Sequence, residues 1–138
     1  MYALSNLNWL HILVATVAYY ILGALWYSFL FQKSWVRFHK IDTSNPDAKK
    51  GVGVIMFLGF VWTFIICTGL AILISKFPLL GGALSAVKLG LTTGVCFSAM
   101  VISMTYLYLK KPFGLHFIDG LYHVVGQIIA AIILVLWV

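Results

Sequence analysis

The sequence predicts an all-α, polytopic membrane protein. The expected architecture is four transmembrane helices in an antiparallel bundle, with a cytoplasmic interfacial helix after the first. Three observations predict it. Of 138 residues, 63% are hydrophobic and only 9% charged, against about 25% charged in a soluble domain of ordinary composition. So little polar surface cannot cover a water-soluble globule. Four apolar runs, 9–31, 52–74, about 84–109 and 117–138, each reach the roughly 20 residues a helix needs to cross a bilayer. The segments between them are basic or hold Pro and Gly, as connections do. A single domain over 1–138 accommodates all four spans.

The first run has no Lys or Arg before it within residues 1–8. A cleaved leader has a basic start, so the run reads as an uncleaved first span. The first connection, "QKSWVRFHKIDTSNPDAKKG", opens as an amphipathic helix. Phe31, Trp35, Phe38 and Ile41 recur at helical spacing, with Lys33, Arg37 and Lys40 on other faces. Aromatic insertion and basic contacts to anionic headgroups suit a helix lying on the inner leaflet, so Lys33, Trp35, Arg37 and Lys40 are the expected lipid contacts. Farther along, Ser44 is the expected cap of a helix start that includes Pro46 and Asp47.

Basic residues orient the bundle. Lys33, Arg37, Lys40, Lys49 and Lys50 lie in the first connection and Lys110 and Lys111 in the third. The positive-inside rule then makes both connections cytoplasmic and both termini external. The formal charge of +6 sits beside apolar spans, which implies anionic lipid as the partner and no nucleic acid. Lys88 is expected to snorkel to the outer boundary.

The fourth run carries an unusual stripe, "HFIDGLYHVVGQ". At 100° per residue, His116, Asp119, His123 and Gln127 fall within an arc of roughly 80°, flanked by Gly120 and Gly126. Ionisable groups in hydrocarbon are expensive and face protein or water. Span 1 should bring Tyr20, Gly23 and Tyr27 to the same depth. Asp119 and His123, at i and i+4, can also pair with each other, and Asp119 is expected in the first helical turn, where negative charge is favoured. Structural glue between helices is the plain reading of such a stripe. The sharper one is a site for a proton, cation or small polar solute. Metal is not expected, because one helix face cannot easily surround a tetrahedral ion and no His or Cys of another helix shares the depth.

Span 3 holds Ala86, Gly90, Gly94 and Ser98 at four-residue intervals, a small-residue ridge for close packing. Cys67 and Cys96 are expected as buried free thiols. There is no glycine-rich phosphate loop, HExxH, serine elbow or heptad repeat. No enzyme activity and no cofactor are therefore expected.

The motifs "NWL", "LGALWYS" and "KSW" of span 1, with Asp119, Tyr122 and His123 of the last helix, resemble the DUF1761 family of small bacterial integral membrane proteins. The resemblance covers nearly the whole chain. It implies a four-helix protein of a bacterial inner membrane and brings no activity, substrate or catalytic residue. Two functions remain open. One is a small transport- or channel-like protein with a cytoplasm-facing polar site on helix 4, built as a homo-oligomer because four helices can hardly enclose a pathway. The other is a non-catalytic scaffold or accessory subunit whose stripe is an assembly contact.

Overall fold

The computed structural model describes residues 2–42, 44–77 and 79–137, and the regular elements among them are all helical. Four helices are long and apolar enough to cross a membrane: Trp9–Leu30, Val52–Lys76, Ala83–Tyr108 and Phe113–Leu136. By length and composition this is a multi-pass membrane protein. A short helix, Gln32–His39, and a 3-10 turn, Pro46–Lys49, separate the first two spans. Another short helix, Tyr2–Ser5, precedes the first span. Pro78 of the second connection and Val138 at the end of the fourth run lie outside the described residues.

Local chemistry explains where the helices begin and end. Asn8 caps the first span, its Oδ1 accepting from the amides of Leu10 and His11 at 3.1 and 3.3 Å, which satisfies two of the orphan donors of a helix start. In the first connection the cap is Asn45, which accepts from the Asp47 amide at 3.0 Å. The expected cap, Ser44, instead donates its hydroxyl to Asp42 at 2.5 Å. Gly51, at φ 77°, then breaks the chain before Val52 starts the second span. Two lysines close helices in the left-handed conformation, Lys40 at φ 54° and Lys110 at φ 52°. Each is followed by an amide reaching five residues back, Ile41 to the Val36 carbonyl at 3.2 Å and Lys111 to that of Tyr106 at 2.9 Å. Glycine usually fills this position.

The fourth span starts at Phe113, after Pro112, and not at 117. Asp119 therefore sits in the second helical turn, beyond the reach of the helix-end effect expected for it.

That fourth span is the hub. Of its most apolar stretch 56% is buried, against 28%, 22% and 11% for spans one to three. Span 3 lies closest to it. A Cβ on Gly90 would stand 2.5 Å from Ile128 Cα, and one on Gly94 2.7 Å from Val124 Cα, so only glycine permits the approach. A four-residue repeat advances about 400° on an α-helix and drifts off its partner by about 40° per step. Span 3 takes up this drift by widening into π-helical turns over Thr93–Ala99, which holds Gly94 and Ser98 on the fourth span. Cys96, two residues beyond Gly94 and so on roughly the opposite side of the helix, is exposed, contrary to expectation, whereas Cys67 is buried.

Span 1 packs through Ile12, Ala15, Thr16 and Tyr19, all buried at the i, i+3, i+4, i+7 spacing of one face. It too widens to π-helical geometry at its end, Trp26–Leu30.

Candidate functional site

The polar stripe is shared out between two neighbouring spans. Asp119 is 6% exposed. Tyr27 of span 1 donates to its Oδ1 at 2.7 Å, and Tyr106 of span 3 donates to its Oδ2. One phenol thus holds each carboxylate oxygen, and no cation is paired with it among the described residues. Beside it, the Trp26 indole donates to the Ile118 carbonyl at 3.0 Å. Trp26 and Tyr27 both belong to the wide turns that end span 1. Two turns deeper along the fourth span, Gln127, 2% exposed, donates its amide to Ser98 of span 3 at 2.5 Å.

His123 behaves differently. It does not pair with Asp119. Its Nδ1 meets the Tyr19 hydroxyl at 2.6 Å, and its Nε2 has no hydrogen-bond partner among the described residues. Tyr19 can reach it because Gly126 leaves room: a Cβ there would stand 1.9 Å from the Tyr19 ring. His123 and Tyr122 floor a cavity of ≈ 440 Å³ between spans 1 and 2, walled by Tyr20, Tyr27, Trp62 and Thr63 among others. Tyr122 is 9% exposed and its hydroxyl has no hydrogen-bond partner among the described residues. That hydroxyl lies over Gly23, where a Cβ would stand 2.8 Å from it.

At the end of the stripe, His116 is buried between rings, 5.0 Å from Phe113 and 5.6 Å from Tyr106. The short helix closes this end. Its Phe38 ring fills the space above Gly114, where a Cβ would come within 2.4 Å. Its Trp35 lies against Tyr27 at 5.7 Å and His39 at 4.5 Å. His39 Nε2 is buried and lacks a partner among the described residues. Burial lowers the His39 pKa below the usual histidine value; Asp119 partly offsets this and Lys111 adds to it.

A family comparison covers almost all of this architecture. The family model described as "Protein of unknown function (DUF1761)" matches residues 10–135. The chain belongs to the DUF1761 family. No curated protein and no solved structure matches it.

Within this DUF1761 chain, the residues named from sequence separate into groups. Asp119 and Gln127 are bound into the interior, Tyr27 holds Asp119 from the cavity wall, and His123 lines the cavity. Tyr20 does not join the stripe: its hydroxyl donates to the Met56 carbonyl of span 2 at 2.9 Å. Gly120 faces span 3, not span 1: a Cβ there would stand 3.3 Å from that of Ala99. Lys33, Arg37 and Lys40 are exposed, and the Arg37 guanidinium lies 5.0 Å from the Phe38 ring centre. Sequence reasoning missed Tyr19, Trp26, His39 and Tyr106. A phenol one residue from Tyr20 was the available signal for Tyr19. His11 lies apart from the stripe, stacked on Trp137 at 4.9 Å. No three His, Cys, Asp or Glu side chains gather in a metal-holding group among the described residues.

Proposed function

We propose that the protein binds a small molecule within the membrane, at the cavity floored by His123, as a transport- or channel-like protein does. One observation carries this: His123 gives one ring nitrogen to Tyr19 and presents the other, unpartnered, on a residue that lines a cavity of ≈ 440 Å³. Ligand sites in proteins are concave, mostly apolar and supplied with a few placed polar groups. In this reading Asp119 and Gln127 are helix locks, and the locks hold the cavity floor rigid, as satisfied buried networks do.

The scaffold reading draws on the same locks, since Asp119 and Gln127 are satisfied inside one protomer. It leaves His123 Nε2 and the Tyr122 hydroxyl without a role. The four spans run antiparallel in this proposal, with both termini external. The short helix lies on the cytoplasmic face, its exposed Lys33, Arg37 and Lys40 toward anionic lipid. The cavity lies within one protomer, so binding does not depend on the homo-oligomer that the sequence suggests.

Accessibility tests the proposal. In a Cys67→Ala/Cys96→Ala background, Thr63→Cys and Gly59→Cys place thiols on the cavity wall, and Ala130→Cys places one in the packed interior. With the full chain in liposomes, methyl methanethiosulfonate is expected to modify both wall thiols and to leave position 130 unmodified. Wall thiols as inert as position 130 would show a dry helix contact and favour the scaffold.

A further inference from the structure

The geometry points to the chemical class of the occupant: a neutral, membrane-dissolved molecule with a compact, quinone-like carbonyl head on an apolar body, entering sideways between spans 1 and 2. This rests on the reading of the His123 cavity as a ligand site and adds the ligand's chemistry to it.

Charge comes first. The cavity is lined by residues that include no Lys, Arg, Asp or Glu. The nearest charge, Asp119, stands behind Tyr27 with both oxygens already held by phenols, so an ionic head would meet no counter-charge on the cavity wall itself, which costs far more than burying a neutral polar group. The head is therefore neutral.

Hydrogen bonding comes second. The Tyr122 hydroxyl sits on a side chain that is 9% exposed, and its proton has no acceptor among the described residues. His39 Nε2 is the only fully buried side-chain nitrogen or oxygen without a partner among the described residues, so the Tyr122 hydroxyl keeps accessible surface and is open to an acceptor on a ligand. A carbonyl oxygen supplies the acceptor. With the Tyr19 hydroxyl donating to Nδ1, the imidazole proton sits on Nε2, which then donates to a second carbonyl oxygen of the same head. A head with two separated oxygens on a flat ring satisfies both groups.

Access comes third. The rim residues Ile55, Met56 and Trp62 are 67%, 54% and 59% exposed, and all three belong to a span of mean hydropathy 2.4. The opening thus lies on the apolar flank of the bundle, so a ligand reaches it from lipid. The bond from Tyr20 to the Met56 carbonyl, 2.9 Å, braces spans 1 and 2 across this flank. A volume of ≈ 440 Å³ is far above the roughly 30 Å³ share of one water and within the usual range for small-molecule sites.

Quenching of Trp62 provides the test. A benzoquinone carrying a decyl chain is titrated into the full chain in phosphatidylcholine nanodiscs. The Trp62 contribution is isolated by subtracting Trp62→Phe. Saturable quenching is expected, with a midpoint raised at least tenfold in Tyr122→Phe, and absent in Gly59→Leu, which fills the wall without touching either polar group. Decylbenzene, which has no carbonyl, is expected not to compete. Quenching that rises linearly and equally in all variants overturns the proposal, as does equal competition by decylbenzene. Disulfide-linked dimers of Trp62→Cys, made in the background lacking both native cysteines, also overturn it, because a second copy then covers the opening. If Thr63→Cys is modified by the thiol reagent while the quinone fails, the ligand class is wrong and the site stands. If neither responds, both readings fall.

Discussion

Single residues carry the placement of the site. Gly126 is the sharpest case, because a Cβ there would stand 1.9 Å from the Tyr19 ring. Gly126→Ala is expected to displace Tyr19 and break its 2.6 Å contact with His123. Overpacking of this kind costs about 1–3 kcal/mol, measurable as earlier unfolding on titration with sodium dodecyl sulfate. Asp119→Leu, close in size, removes both acceptor oxygens and with them the interhelical hydrogen bonds from Tyr27 and Tyr106. Such bonds contribute about 0.6–2 kcal/mol inside a membrane protein. The double variant Asp119→Leu/Tyr27→Phe should be destabilised less than additively, since both changes remove the same Tyr27–Asp119 bond. Strict additivity would show that Tyr27 and Asp119 do not interact.

Elements decide how much of this was legible in the sequence. The spans were readable because an apolar run of span length has few other folds open to it. The Ala86–Gly90–Gly94–Ser98 ridge was readable because small residues at regular spacing permit backbone contact. The stripe on the fourth helix was readable as an angular cluster, and Tyr27 as its partner by depth. The choice between Tyr19 and Tyr20 was not, because neighbouring residues differ by about 100° around a helix and rotation is set by packing on Gly126. The π-helical turns of spans 1 and 3 leave no mark on hydrophobic periodicity, yet they direct Tyr27 and Ser98. The short helix was legible as amphipathic, but its Phe38 packs on Gly114 of the fourth span. An apolar stripe alone does not distinguish lipid from protein as its cover. That docking has a pH signature. Burial lowers the His39 pKa, so the docked helix favours the neutral ring. An undocked ring titrates near the ordinary value of about 6.5. Docking is therefore at full strength above that value and weakens as pH falls through and below it. Fluorescence of Trp35, isolated by subtracting Trp35→Phe, should change between about pH 8 and 5 in wild type and stay constant in His39→Gln. A constant signal in wild type would show that His39 does not report docking.

At the scale of the whole molecule, the fourth span is a central post to which the other elements attach, and the proposed orientation turns its His116 end to the cytoplasm. Thiols placed at Ser44 and Gly81, in the background lacking both native cysteines, test that orientation with an impermeant reagent. Gly81→Cys is expected to react from outside the cell and Ser44→Cys only after the membrane is opened; the reverse pattern would invert the topology. The central claim is that His123 serves the protein with one nitrogen and the cavity with the other. The most direct measurement is ¹⁵N solid-state NMR of the imidazoles in lipid bilayers, with His123 assigned by its loss in His123→Gln. Tyr19→Phe is predicted to move the Nδ1 resonance of His123, and the decyl-benzoquinone to move the Nε2 resonance while the Tyr19 contact persists. An Nε2 resonance that ignores the quinone, together with an Nδ1 resonance that ignores Tyr19→Phe, would contradict the account.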